Sequence, residues 1–294
     1  MAPDPSHFTG QLHRDGLAGP FDLADKSGLD AVCEVAMELK ALQRQQNRLA
    51  RLAGRPGQQR WTTLINRHMA FDAIGDLFRD ATLQSVVSEC FGPDLLIWQT
   101  TFFLKYAGVG ENKWHHDRQF ENGSDPIDLY DTGNHFSFVI ALTDLGMDQG
   151  RLEYVKGSHL PIDGFDRDMP RISGELPEVV HDRITPLPLG RGQFAVFHSS
   201  VLHRSLAYGH REEDWRPGYF GTPSPESWPI KSGRISFAAR LVKKGTDIPA
   251  RSGSNPAGAT QAIAEPIPYY DALSEQVQAS RSVVMPFNQP PPGG

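Results

Sequence analysis

The sequence predicts a mostly β protein, an antiparallel sandwich or barrel with helices packed against its outside. Three observations predict it. Short segments rich in aromatic and β-branched residues recur after residue 95. Turn formers separate them, with 28 Gly and 23 Pro in 294 residues. Helical periodicity, by contrast, dominates the part that precedes them.

In the N-terminal third, Leu29, Val32, Val35, Ala36, Leu39 and Leu42 recur at steps of three and four, which predicts an amphipathic helix over Leu29–Leu52 with Ser27 placed to cap it. A second helical stretch, about Phe71 to Cys90, ends at the Gly92-Pro93 breaker. The texture then changes. Ile97 to Tyr106 is aromatic and β-branched with no Gly or Pro. His135 to Thr143 alternates, with Phe136, Phe138, Ile140 and Leu142 on one face and His135, Ser137, Val139, Ala141 and Thr143 on the other. Leu152–Val155, Gln193–His198 and Arg234–Val242 are further strand candidates. Segment 206–232 is a long polar and aromatic loop, a type that is usually functional inside a compact domain. A short helix is expected around Tyr269–Ala279, before a Pro/Gly-rich tail from Pro286 to Gly294. The chain reads as one domain: a helical part over 1–94, a β core over 95–245 with the 206–232 loop inserted, and an extension and tail over 246–294.

Composition narrows the classes. A net charge of −6 and a pI near 6.0 argue against nucleic-acid and anionic-membrane partners. The two cysteines, Cys33 and Cys90, have neither metal-ligand spacing nor the look of a disulfide framework. No apolar run approaches the roughly 20 residues of a membrane helix, and the first residues have no signal-peptide pattern. A cytoplasmic protein is expected; the oligomeric state is not readable.

The chemistry concentrates at Trp114-His115-His116-Asp117. On a strand, residues i and i+2 share a face, so His115 and Asp117 can reach one ion while His116 points away. Two imidazoles and one carboxylate on one face of an octahedral Fe(II) leave three positions open, enough for a bidentate oxo acid and dioxygen. A second His-x-Asp, His13-Arg14-Asp15, falls in what reads as an N-terminal surface loop and is set aside. The third ligand lies in Phe197–Ser205, where His198 and His203 both qualify on residue type alone. Trp114 reads as pocket wall, His159 as a residue that holds its loop by hydrogen bonds, Arg204 as solvated and Lys105 as structural.

Four motifs in order carry a family resemblance: Trp114-His115-His116-Asp117, Gly150-Arg151-Leu152 through Gly157-Ser158-His159, Leu202-His203-Arg204-Ser205, and Arg234-Ile235-Ser236-Phe237. Over about residues 95–245 the chain resembles the phytanoyl-CoA dioxygenase family of Fe(II)/2-oxoglutarate oxygenases. The resemblance implies a double-stranded β-helix (jelly-roll) core and a metal held by His115, Asp117 and His203. It implies that Arg234 grips the distal carboxylate of 2-oxoglutarate, assisted by Ser205, a task that suits the bidentate guanidinium fork. Ser137 is expected to line the co-substrate pocket. The 31 positions between His203 and Arg234 (234 − 203) exceed the family's usual spacing, so Arg240 stands as the alternative anchor.

The implied cofactor set is Fe(II), 2-oxoglutarate and O2, with succinate and CO2 formed as a small-molecule substrate, an amino acid derivative or secondary metabolite, is hydroxylated. The carboxylate of Asp117 favours hydroxylation over halogenation, which needs a small residue there. Desaturation, epoxidation and cyclisation stay open. The rival readings are a cupin-like metal enzyme that does not use 2-oxoglutarate and a catalytically silent barrel that only binds.

Overall fold

The computed structural model describes residues 5–54, 64–106, 109–117, 133–146, 149–166, 175–208, 233–243, 248–251, 260–263 and 285–286. Four helices, α1 (Pro5–Asp15), α2 (Leu29–Leu52), α3 (Asp72–Leu77) and α4 (Ala81–Phe91), fall in the N-terminal part. The strands are β1 (Leu17–Asp22), β2 (Leu95–Lys105), β3 (His135–Ala141), β4 (Leu152–Val155), β5 (Ile184–Leu187), β6 (Gln193–His198), β7 (His203–Ser205), β8 (Arg234–Lys243), β9 (Ile248–Arg251), β10 (Thr260–Ile263) and β11 (Met285–Pro286). They form a six-stranded sheet in the order β1-β6-β3-β8-β2-β11, a three-stranded sheet β5-β4-β7 and a separate β9-β10 pair. All strand pairings are antiparallel. This is the jelly-roll architecture, mostly strand with flanking helices. Among the described residues no helix is long and apolar enough to cross a membrane. Of the sequence expectations, 209–232 of the long loop, the helix about 269–279 and tail residues 287–294 lie outside the described residues.

Strand alternation builds the layers. On β8, Ile235, Phe237, Ala239 and Leu241 join a core with Phe136, Phe138 and Ile140 of β3 and with α2, α3 and α4. The intervening Arg234, Ser236, Ala238 and Arg240 face a cavity instead. A second core packs Val139, Ala141, Ala195 and Phe197 of the large sheet against Tyr154 and Leu187 of the small one. Strand β3 is therefore buried on both faces along its whole length, and its polar residues need a specific reason to be there.

The helical reading of the N-terminal third needs two corrections. Strand β1, with sequence LAGPFD, intervenes between α1 and α2. Its Gly and Pro read as a turn, but an edge strand tolerates both, and β1 lies at the sheet's edge with a register shift between Ala18 and Phe21. The stretch from Phe71 to Cys90 is two helices rather than one. The Asp80 carboxylate breaks it by accepting from the N–H groups of Thr82 and Leu83, each at 3.0 Å, as the N-cap of α4. Helix α2 has the expected bounds, but its buried stripe runs Leu29, Val32, Ala36, Leu39 and then Gln43 (4% exposed), leaving Leu42 43% exposed. Ser27 gives its backbone N–H to the Asp25 carboxylate.

His13-Arg14-Asp15 lies at the end of α1, not in a surface loop, and Asp15 is buried and paired with Arg14. The next residue, Gly16, turns the chain into β1 with φ +80, and a Cβ there would press on the His159 ring and within 2.6 Å of Val201. Gly16→Ala is expected to cost about 1–3 kcal/mol from its left-handed backbone alone, read as a lowered midpoint in denaturant.

Candidate active site

His115, Asp117 and His203 converge although they come from different kinds of local structure. His115 and His203 pair as an isolated antiparallel bridge, exchanging backbone hydrogen bonds of 3.1 and 2.8 Å. Residues paired in this way project to one face, and the two rings lie with centroids 4.4 Å apart. From the sequence, His115 and Asp117 were expected to share a strand. The structure instead gives a single bridge at His115, and the chain has left strand pairing by Asp117, whose carboxylate still meets the two histidines. One ligand atom from each of the three residues lies within 4.8 Å of the others, and among the described residues this is the one such group able to hold a metal ion.

Their protonation suits a metal. His115 Nδ1 lies 2.7 Å from the carbonyl of Lys113, and His203 Nδ1 lies 3.0 Å from that of Val201. A carbonyl can only accept, so each Nδ1 carries the proton and the lone pair sits on Nε2, the tautomer a ligand histidine needs. Burial, then the neighbouring His203, pushes His115 down to about 3, so it is a neutral imidazole at physiological pH. For Asp117, burial pushes the pKa up, but the Arg240 guanidinium, His203 and the hydrogen bonds from Arg240 and Ser137 outweigh it. The carboxylate is held well below its ordinary range.

The supporting residues are specific. Ser137 Oγ donates to Asp117 Oδ2 at 2.7 Å and lies 3.2 Å from Ser199 Oγ, while Arg240 donates to Asp117 Oδ1 at 2.8 Å and also to Gln99. Ser137 was expected in the co-substrate pocket. It is fully buried behind Asp117, because the inward face of β3 at this point meets the carboxylate. Ser137→Ala is expected to weaken metal affinity by roughly 10–100-fold without unfolding the protein, measured by competition with a chelating dye.

Arg234 lies on the same cavity wall, buried at 3% exposure. It donates to the Gly150 carbonyl at 2.7 Å and to Ser236 Oγ at 3.3 Å, and its Nε has no partner among the described residues. Burial lowers its pKa to about 10. Beside it, Lys105 Nζ donates to the carbonyls of Gly110, Ser205 and Leu206 at 3.0, 3.0 and 2.8 Å. Desolvation and then the Arg234 charge lower Lys105 to about 6. A buried guanidinium with an N–H that no described residue takes up makes a site that fits a carboxylate. Ser205 is buried and lines the cavity here. Arg240, the alternative anchor, is engaged with Asp117.

The other histidines are placed elsewhere. His198 ends β6, and a turn separates it from β7, so it stacks on His159 (centroids 5.0 Å, 4° between planes) and packs near Phe91 and Phe136. His159 lies 3.1 Å from the His13 carbonyl, in the loop-holding role its sequence context suggested. Trp114 is not pocket wall. It packs outside the small sheet with Val155, Phe165, Val180 and Leu202, under the Arg204 guanidinium at 4.7 Å. Arg204 is thus not simply solvated but also pairs with Glu153 and Glu111. Lys105, read from the sequence as structural, holds three backbone carbonyls, whereas the pairing of Arg240 with Asp117 was not evident from the sequence.

The phytanoyl-CoA dioxygenase family model matches residues 12–212. The chain belongs to this family. Its members are non-haem Fe(II)/2-oxoglutarate-dependent oxygenases. Solved structures agree in fold. One is a non-haem monooxygenase, the ThoJ–Ni complex, at 18% identity and TM-score 0.56, covering 88% of this chain and 89% of that one. Another is the epimerase SnoN with Fe3+, α-ketoglutarate and nogalamycin RO, at 16% and 0.56, covering 90% and 96%. A third is EctD from S. alaskensis with 2-oxoglutarate and 5-hydroxyectoine, at 16% and 0.57, covering 91% and 87%. No curated protein matches the chain.

Proposed function

We propose that this oxygenase hydroxylates a small molecule, with Fe(II) held by His115, Asp117 and His203 and 2-oxoglutarate anchored by Arg234. The observation that carries the reading is the joint arrangement of a tautomer-locked histidine pair and an ionised carboxylate within 4.8 Å on the same cavity as a buried arginine with an unused N–H. A metal site alone fits many chemistries; the added anion corner fits a metal that works with an oxo acid.

Bound Fe(II) and 2-oxoglutarate supply oxidation of a C–H bond by O2, with succinate and CO2 formed. The chain's own part is positioning and exclusion of water. His115 and His203 present Nε2 towards the ion, and Ser137 and Arg240 fix the Asp117 oxygens. Arg234 Nε offers a hydrogen bond to a distal carboxylate, and Lys105 pins the turn around Ser205 and Leu206 that closes this corner. The Asp117 carboxylate fills the position that halogenation requires to be small, so hydroxylation is the reaction proposed. Neighbours on this fold bind 5-hydroxyectoine and nogalamycin RO, which supports a small-molecule substrate here.

Anaerobic addition of Fe(II) and then 2-oxoglutarate is expected to produce a visible charge-transfer band from bidentate chelation at an open ferrous site. Succinate formation across a substrate panel then identifies the substrate. Tight zinc binding with no such band would remove the reading and leave the cupin-like alternative.

A further inference from the structure

The cavity is lined by Phe102, Leu104 and Tyr106 as well as by Thr101, Phe103 and Lys105. Consecutive strand residues point to opposite faces, so the cavity wraps round the edge of β2 and reaches the helix-facing side of the large sheet. Among the described residues that edge is covered by β11 at residues 96–97 and by the Ile65 bridge at Thr101. On the far side the cavity meets α2, at the point where its buried stripe changes from Leu39 to Gln43.

A polar residue at a core-face position calls for a partner. Gln43 Oε1 accepts from Lys40 Nζ at 2.7 Å, and among the described residues Lys40 has no acidic partner. Lys40 also lines the cavity. Burial, and then the neighbouring Arg44, push its pKa down to about 8. Independently, Tyr106 is 2% exposed, lines the same cavity and has a hydroxyl without a hydrogen-bond partner among the described residues. The Arg44 guanidinium lies over its ring at 5.2 Å. An ammonium lacking a counter-ion and a buried hydroxyl lacking an acceptor are both costly unless something completes them. An anion completes both: its oxygens accept from Lys40 Nζ and from Tyr106 Oη.

We infer that Lys40 and Tyr106 form a second anion subsite, which takes a carboxylate or phosphate carried by the substrate itself. It lies across the β2 edge from the metal triad and is distinct from the Arg234 corner. The inference rests on the oxygenase reading for what the bound molecule is, but not for whether the subsite binds anions. The substrate then has an acidic end that docks at α2 and a reacting carbon that reaches past the β2 edge to the metal, and α2 contributes to specificity.

The test uses the full chain loaded with Zn(II) and saturating 2-oxoglutarate, so that the Arg234 corner is filled. Hexanoate, hexyl phosphate and hexan-1-ol are titrated by calorimetry. At least one of the two anions is expected to bind about tenfold or more tightly than the alcohol, the size of a charged hydrogen bond. The tighter of the two identifies the group. Lys40→Met is expected to abolish the preference, Lys40→Arg to keep it and Tyr106→Phe to reduce it. Lys40→Met removes an uncompensated cation, so it should fold at least as stably as the parent, and thermal melts check this. Equal binding of all three probes would overturn the subsite, as would a preference that survives in Lys40→Met. A loss of 2-oxoglutarate affinity in Lys40→Met would also overturn it by assigning the cluster to the co-substrate. A chain that shows the anion preference but no Fe(II)/2-oxoglutarate band would keep the subsite and lose the oxygenase reading; the reverse result would do the opposite.

Discussion

Replacing His203 by alanine is expected to abolish Fe(II)-dependent turnover and to lower metal affinity by more than about 100-fold, the upper end of what losing a mere supporting residue costs. Its Nδ1 is committed to the Val201 carbonyl, and its ring faces His115 across a reciprocal backbone bridge. The imidazole is therefore already oriented, and among the described residues no other His, Cys, Asp or Glu joins the metal-binding group. The comparison variant is His198→Ala. His198 belongs to a stack with His159, so its loss is expected to reduce stability while leaving the Fe(II)/2-oxoglutarate band in place. A His203→Ala protein that binds Fe(II) normally and turns over would sink the ligand assignment.

Arg234→Leu has the second largest expected effect, and it falls on the co-substrate instead of the metal. Removing one member of a buried hydrogen-bonded charge pair costs about 2–5 kcal/mol. At about 1.36 kcal/mol per factor of ten this raises KM for 2-oxoglutarate by at least roughly 30-fold. Metal affinity should hardly change, since no bond links Arg234 to the triad. Stability should change little too, because in the free protein Arg234 is a buried cation with only neutral acceptors. Arg240→Leu gives the opposite pattern: a weaker metal site through Asp117, with a smaller effect on KM. Steady-state kinetics in 2-oxoglutarate beside metal titrations on the two variants separate the roles. If Arg240→Leu gave the large KM effect, the anchor would have to be reassigned.

The core strands and the His115–Asp117 pair could be read from the sequence because their signals are local, whereas His203 was preferred to His198 only through the family resemblance. The alternation from His135 to Thr143 became β3, and the motifs around His115 and His203 contain the residues that meet. What could not be read depends on contacts between distant parts of the chain. Arg240 and Asp117 are 123 residues apart, and nothing near either predicts that they pair. Ser137 was placed on the correct face of its strand, but which neighbour that face met depended on where the chain after His115 sends Asp117. Strand β1 escaped because Gly and Pro locally signal a turn, and only its position at the sheet edge makes them tolerable. Helix α2 was recognised with its bounds, but consecutive helix residues lie about 100° apart, and the stripe that runs through Leu29, Val32, Ala36 and Leu39 continues to Gln43 and leaves Leu42 at its flank.

The bonds from His115 and His203 back to carbonyls two residues earlier have a consequence for metal supply. Both ligands are set by their own short stretches of backbone, and the carboxylate by Ser137 and Arg240, so the site is assembled before any ion arrives. Loading is then an exchange reaction of the folded protein, unlike the coupled folding and binding of small zinc domains. A chelator should empty the site without melting the barrel, and the emptied protein should refill. A rigid N2O face also offers first-row ions a site whose raw affinities follow the general order for divalent metals. Which ion occupies it in a cell is then governed by the ions available when the chain is made, and inactive zinc- or nickel-loaded fractions are expected in preparations grown without added iron.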